Sequence, residues 1–282
     1  MKKTLTILTL LSLCSLAWGM KIHDRVHSID IGKNNEEHIL KLESGRVAFI
    51  NSDQPPYYKP SDFPEGSWIE LELDQKLTIK SMASSPPADI IFPPDNSSES
   101  PEQTEPTVLP NYASAKKIFN GMNRSYKKNT ECSDRAHVWA YEEWKKNDLY
   151  SNKAFIFFTN TYIRAYRFYW WFHVAPYTLV KEHGTVVEHI LDRKYTSYPY
   201  HTKQWTDVFV RSKKECPVKT YAHYRANKYG KEHCFLVKSS MYYRLPLHVR
   251  RMEDYGTIKT KFNNSEVNFS YRAFNRRPVL KN

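Results

Sequence analysis

Apolar and polar residues alternate through Trp68-Ile69-Glu70-Leu71-Glu72-Leu73, the period-two pattern of a strand with one buried face. Val47-Ala48-Phe49-Ile50 is a continuous apolar run of strand length. The two predict a small β-rich unit early in the chain. Farther on the period lengthens. After the polar Asn129-Thr130-Glu131, the residues Ala136, Trp139, Ala140, Glu143 and Trp144 fall near one face of a helix that begins at Cys132, with Ser133 and Asp134 suited to its first turn. The aromatic run Tyr166–Pro176 predicts a strand, Glu182-His183-Gly184-Thr185 a turn, and Val186–Asp192 the returning strand. Folded as an antiparallel hairpin, these segments pair residues whose numbers sum to about 367. That register puts Asp192 opposite residue 175, one diagonal step from His173. More strands are expected around 154–160 and 234–244. The fold class is α+β: a helix bearing a cysteine packed on an antiparallel sheet that bears a histidine and an aspartate.

The ends and the middle of the chain read differently. Lys2 and Lys3 precede an apolar stretch from Leu5 to Leu16, and Ala17-Trp18-Gly19 offers small residues where a signal peptidase needs them, so residues 1–19 read as an export signal. Cys14 follows Leu13 rather than a small residue, which argues against a lipid anchor. The Lys-Lys-Thr start has a bacterial look. No later segment supplies eighteen uninterrupted apolar residues; the richest, Ala154–Val180, is broken by Arg164 and Arg167, so no membrane span is expected. The expected product is exported, either periplasmic or secreted, and monomeric. Residues 93–108 are rich in Pro, Ser and Glu and read as an exposed linker open to proteolysis. They separate an N-terminal unit at 20–92 from a C-terminal domain at 109–282.

Charge sharpens that division. The whole chain of 282 residues carries +12, yet residues 20–108 hold eight Lys/Arg against sixteen Asp/Glu, a net −8. The remainder from 109 onward is at +18. Opposite charge favours mutual docking, so the acidic unit reads either as an accessory domain or as a pro-segment that covers the basic domain until the linker is cut. A basic, tyrosine-rich domain also raises a nucleic-acid reading, but there is no zinc-finger spacing, RNP motif or Walker loop, and export removes the target. Arg250-Arg251 and Arg276-Arg277 read as solvated surface or as a dock for acidic protein.

With Cys14 in the signal, three cysteines remain: Cys132, Cys216 and Cys234. In an oxidising compartment three intramolecular pairings are open. Cys216 with Cys234 is the economical one, closing a loop worth roughly 3 kcal/mol in the chain-entropy view, and it leaves Cys132 free. A cysteine at a helix N-terminus has its thiolate favoured by the helix dipole, and the free amides there suit an oxyanion. A carboxylate beside His173 would fix the ring's tautomer and support its protonated form. His183 and His189, beside Glu182 and Glu188, lack the metalloprotease helix spacing and read as turn and strand surface, so no metal ligand and no cofactor is expected.

The order Cys132, His173, Asp192 resembles the bacterial protein-glutaminase family. The resemblance rests on Cys132-Ser133-Asp134-Arg135-Ala136-His137, Trp170-Trp171-Phe172-His173-Val174-Ala175 and Ile190-Leu191-Asp192, on the segment around Trp205, and on Tyr242-Tyr243-Arg244-Leu245-Pro246; it covers roughly 110–250. It implies a papain/transglutaminase-like domain made as a precursor with a signal and an inhibitory pro-region. It also implies Cys132 as nucleophile, His173 as base and acid, Asp192 as the residue that orients His173, and proteins bearing accessible glutamine as substrates. Trp170, Trp171 and Trp205 are candidates to line the slot for the glutamine stem, or to pack the core. Two departures stand out: Glu131 where the family tends to have glycine, and Arg193-Lys194 where it tends to have Pro-Ser. The same triad also serves transglutaminases and cysteine peptidases, and a non-catalytic binding or toxin domain would need no triad at all.

Overall fold

The computed structural model describes residues 20–32, 37–53, 55–84, 105–127, 131–256 and 259–275; the signal read at 1–19 and most of the linker read at 93–108 lie outside them. The N-terminal unit is an antiparallel sheet of β1 (Met20–Asp30), β2 (His38–Leu42), β3 (Val47–Ile50), β4 (Trp68–Leu73) and β5 (Ile79–Ser84), in the order β3-β2-β1-β4-β5. Both strands expected here form with the expected bounds. Their patterns differ for a physical reason. In β4, Ile69, Leu71 and Leu73 enter the unit's own core, while Glu70 and Glu72 do not. In β3 all four residues are buried: Ala48 and Ile50 face that core, whereas Val47 and Phe49 face the second unit.

The second unit begins with β6 (Val108–Leu109), α1 (Tyr112–Gly121), α2 (Cys132–Asn147), β7 (Asn152–Phe158) and α3 (Asn160–Tyr166). It continues with β8 (Phe172–Glu182), β9 (Thr185–Ile190), β10 (Tyr200–His201) and α4 (Thr202–Phe209), then α5 (Tyr221–Asn227), β11 (Cys234–Ser239), α6 (Pro246–Tyr255) and α7 (Asn264–Asn275). The sheet order is β10-β9-β8-β7-β11, with β6 parallel to β8. Helix α2 packs against β8 and α7. The hairpin register is the expected one, with Tyr177 opposite Ile190 and Glu182 opposite Thr185. His183 and Gly184 both have positive φ, +48° and +80°, the requirement of a two-residue turn whose twist matches its strands. Cys216 and Cys234 are joined, and Cys132 is free.

The aromatic run is shorter as a strand than its composition suggests. Tyr166 ends α3, which Thr159 caps by accepting from the Tyr162 amide, and Arg167 closes it in the left-handed region. Strand β8 starts only at Phe172. The residues between them bond across to the N-terminal unit: Val47 N donates to Tyr169 O at 3.0 Å, and Trp171 N to Gly45 O at 2.8 Å. Gly45 has φ +96°, and a Cβ there would meet the Phe172 carbonyl oxygen at 3.1 Å, so this turn admits glycine for its conformation and for its approach.

Charge also crosses the interface. Asp30 is buried with Lys41 at 2.7 Å and accepts from Asn160 at 2.9 Å; Lys228 of the second unit reaches its other oxygen. Lys41 donates onward to the Tyr224 hydroxyl at 2.9 Å, and Arg167 meets Glu37 at 2.6 Å. Burial alone would push the Asp30 carboxyl up, but Lys41 and Lys228 outweigh it and hold it well below the usual carboxylate range. Removing one partner of such a pair leaves a buried charge uncompensated. Asp30→Ala is therefore expected to cost roughly 3–5 kcal/mol, read as a lowered urea midpoint at neutral pH; an unchanged midpoint would show that this contact does not fasten the units.

Candidate active site

Cys132 is the first residue of α2, with Glu131 as its N-cap in extended conformation. The helix starts there because the chain turns from extended to helical at the cysteine and then buries Ala136, Trp139 and Ala140. Asp134 in the first turn is held by Arg244 at 2.6 Å and by Ser270 of α7 at 3.0 Å, which fixes the helix start against the rest of the domain. The Cys132 sulfur receives a hydrogen bond from the backbone amide of Val174, the residue next to His173 on β8.

His173 and Asp192 are both buried, and His173 Nε2 lies 2.7 Å from Asp192 Oδ2. With Nε2–H donating to the carboxylate, the ring's free lone pair sits on Nδ1, which has no hydrogen-bond partner among the described residues. Trp205 Nε1 donates to the same Asp192 oxygen at 2.9 Å. Burial would raise the Asp192 carboxyl, but His173, Trp205 and the Arg135 charge prevail and hold it low. Burial lowers the His173 pKa against the pull of Asp192. The pair therefore rests as a carboxylate beside a neutral imidazole.

The thiol departs from the sequence expectation of a favoured thiolate. Burial pushes the Cys132 pKa up to about 12, with Glu131 and Asp192 adding to it and Arg135 opposing. The reason is tertiary. A cleft of about 310 Å³ holds Cys132, Arg135, Trp170, Lys194 and Tyr195 on one side and Met20, Ile22, Ser44, Arg46, Val47 and Leu77 of the N-terminal unit on the other. Burial of the sulfur outweighs the opposing Arg135 charge.

The three tryptophans have separate places. Trp170 lines the cleft and stacks on His173, ring centroids 5.3 Å apart at 14°. Trp171 is buried against the N-terminal unit, donating from Nε1 to the Leu42 carbonyl at 2.7 Å and stacking on His27. Trp205 is fully buried and serves Asp192. Tyr195, which the sequence did not single out, stands edge-on to His173 at 5.1 Å. Arg46 is also new: it meets Glu131 at 3.2 Å across the cleft mouth. Of the two residues after Asp192, Arg193 is buried and donates to the carbonyls of Asn120 and Met122 at the end of α1, whereas Lys194 faces the cleft.

His183 lies exposed in the hairpin turn, as expected, but His189 does not lie on the surface. It is 1% exposed beneath Tyr112 and His201. The structure thus groups Glu182, His189 and His201, although the sequence offered no metal-ligand spacing for them.

The Trp205 hydrogen bond makes a testable claim. Trp205→Phe keeps the ring and removes the donor, so the charged form of Asp192 loses roughly 1.5–3 kcal/mol. Because the native Asp192 pKa is depressed, the stability gap between wild type and variant is full above the unfolded carboxylate pKa of about 3.9 and narrows as pH falls through the native value. Urea unfolding at pH 7 and in acid measures it; a gap independent of pH would assign the loss to packing alone.

Residues 110–209 match the family model Gln_deamidase_2, described as glutaminase. No significantly similar sequence occurs among proteins of curated function. A crystal structure of a mutant of pro-protein-glutaminase is 14% identical, with a TM-score of 0.54, covering 93% of this chain and 94% of that one. A crystal structure of pro-protein-glutaminase, also 14% identical, covers 93% and 95% at a TM-score of 0.48. The solution structure of protein-glutaminase from Chryseobacterium proteolyticum is 16% identical and covers 58% and 85% at 0.38. The fold comparison rests on the first of these, and it spans both units described above. Residues 110–209 are thus similar to the glutaminase family model, and the chain has the fold of pro-protein-glutaminase.

Proposed function

We propose that this protein is an exported protein-glutamine glutaminase, made as a precursor, that deamidates glutamine side chains of proteins through Cys132. The observation that carries the reading is the buried Cys132 against Val174, next to a His173 whose Nε2 is committed to Asp192 and whose Nδ1 is open. In that arrangement Nδ1 takes the thiol proton as the sulfur attacks the side-chain amide carbon of glutamine. Amides at the start of α2 face the developing oxyanion. The C–N bond then breaks, His173 returns the proton to the departing nitrogen, and ammonia leaves a γ-glutamyl thioester on Cys132. His173 next takes a proton from water; the resulting hydroxide adds to the thioester, the C–S bond breaks as His173 returns that proton to sulfur, and the γ-carboxyl of glutamate and the free thiol remain. Each step balances without metal or organic cofactor.

The precursor reading draws on the cleft. Met20, Ile22 and Arg46 of the acidic N-terminal unit stand where a substrate side chain would approach Cys132, and in that state burial raises the thiol's pKa and favours its protonated form. Cutting the chain between the units frees the first to leave, admits water and lets the helix dipole and Arg135 lower the thiol's pKa. The Cys216–Cys234 bond accords with an oxidising compartment.

Ammonia release from a glutamine-rich protein tests both parts, comparing the intact chain, a form cut within 93–104, and the cut form carrying Cys132→Ala. The expected result is release by the cut form, at least 100-fold less from the intact chain, none from Cys132→Ala, and no backbone cleavage. Equal release from cut and intact chains would remove the precursor reading alone. Incorporation of a labelled amine in place of net release would assign acyl transfer, and peptide-bond cleavage would assign a peptidase.

A further inference from the structure

Away from the cleft, one cluster carries chemistry that the Cys132 site does not use. Glu182 ends β8, His189 lies on β9 and His201 on β10. His189 and His201 are directly opposed across the β9–β10 pair. By strand alternation Glu182 projects on the opposite face of β8 from His173, the face that His189 also takes through its partner Thr178. One donor atom from each of the three side chains lies within 4.8 Å of the others. His189 Nε2 is 3.1 Å from Glu182 Oε1, His201 Nε2 is 3.7 Å from Glu182 Oε2, and the imidazole centroids are 4.4 Å apart.

The buried histidine is the pointer to a ligand. His189 is 1% exposed, and neither of its ring nitrogens completes a hydrogen bond with the described residues. The Glu182 carboxylate lies 3.1 Å from Nε2 and the Pro199 carbonyl lies beside the ring, both drawn to the imidazole without completing a hydrogen bond by distance and angle together. A buried imidazole left in this way against a carboxylate calls for a shared partner between them.

We propose that Glu182, His189 and His201 form a divalent transition-metal site that takes Zn²⁺. Two imidazole nitrogens and one carboxylate oxygen are the donor set of a three-ligand zinc site with one open position, and nitrogen donors disfavour Mg²⁺ and Ca²⁺. Donors about 2.0–2.1 Å from a tetrahedral zinc stand roughly 3.3–3.5 Å from one another, so the observed separations close with small side-chain movements. His201 has 43% of its side chain exposed, which gives an ion a path in from solvent. The consequence for the fold is specific. Strand β9 runs directly into Asp192, and β10 runs directly into α4, which carries Trp205. A metal held by β8, β9 and β10 closes the base of the 191–199 loop, and so positions Asp192, which bonds His173, and Trp205, which bonds Asp192.

The test uses the full chain depleted of metal with a chelator. Zn²⁺ and, separately, Mg²⁺ are titrated against a competing chromophoric chelator, and the melting temperature is followed in parallel. The expected result is one Zn²⁺ per chain, no Mg²⁺ binding, and a rise in melting temperature on adding Zn²⁺. Glu182→Gln and His201→Ala, both at partly exposed positions that the fold tolerates, are each expected to weaken Zn²⁺ binding by roughly 100-fold or more and to abolish the thermal shift. Absence of stoichiometric Zn²⁺ binding, or binding unchanged in both variants with their circular dichroism intact, would overturn the proposal. Neither readout depends on enzymatic activity, so failure of the zinc site and failure of the glutaminase reading are separable.

Discussion

Asp192 is a carboxylate at 1% exposure, and a charge so placed persists only where several partners converge on it. Here they come from three parts of the chain. His173 is presented by β8, Trp205 by α4, and the Arg135 charge by the first turn of α2. Much of the second unit's architecture serves that convergence. The two-residue turn at His183-Gly184 sets the β8–β9 register, the register delivers Asp192 two residues beyond the end of β9, and Arg193 pins the following loop to the end of α1. A one-residue slip in the hairpin would turn His173 to the other face of the sheet and leave Asp192 buried without its partner.

The same logic explains the state of the cysteine. A helix N-terminus favours a thiolate only while some solvent or opposite charge remains to help it. Met20, Ile22 and Arg46 of the N-terminal unit line the cleft beside Cys132, and burial raises the thiol's pKa. The two units are joined by directional contacts as well as apolar ones. Gly45 meets Trp171 backbone to backbone, and Asp30 lies between Lys41 of its own unit and Lys228 of the other. Charge complementarity between the units is thus real at particular pairs, but it is not uniform. Arg46 and Glu131 meet with the signs reversed, a basic residue from the acidic unit on an acidic residue of the basic one.

Much of this was legible in the chain because it depends on local periodicity. The strands at 47–50 and 68–73, the helix starting at Cys132, the turn at 182–185 and the register through 367 all follow from spacing and turn chemistry, which act over a few residues. The aromatic run becomes a strand later than its composition suggests, because aromatic composition does not separate a strand from a packed helix end; Thr159 and Arg167 decide that Tyr166 belongs to α3. Trp171 and Trp205 could be placed in a substrate slot or in the core with equal reason from sequence, since their partners, Leu42 and Asp192, are remote or reached only by folding.

What the sequence by itself determined, then, is the inventory and the order: a free cysteine at a helix start, a histidine and an aspartate on one hairpin, an acidic unit ahead of a basic one. What only the tertiary structure decided is the environment of each group. Protonation of Cys132, the open Nδ1 of His173, the part played by Arg46 and Tyr195, and the gathering of Glu182, His189 and His201 all depend on burial and on contacts between residues far apart in the chain. Periodicity names which side chains share a face; desolvation and the direction of a lone pair are fixed only when other elements close over that face.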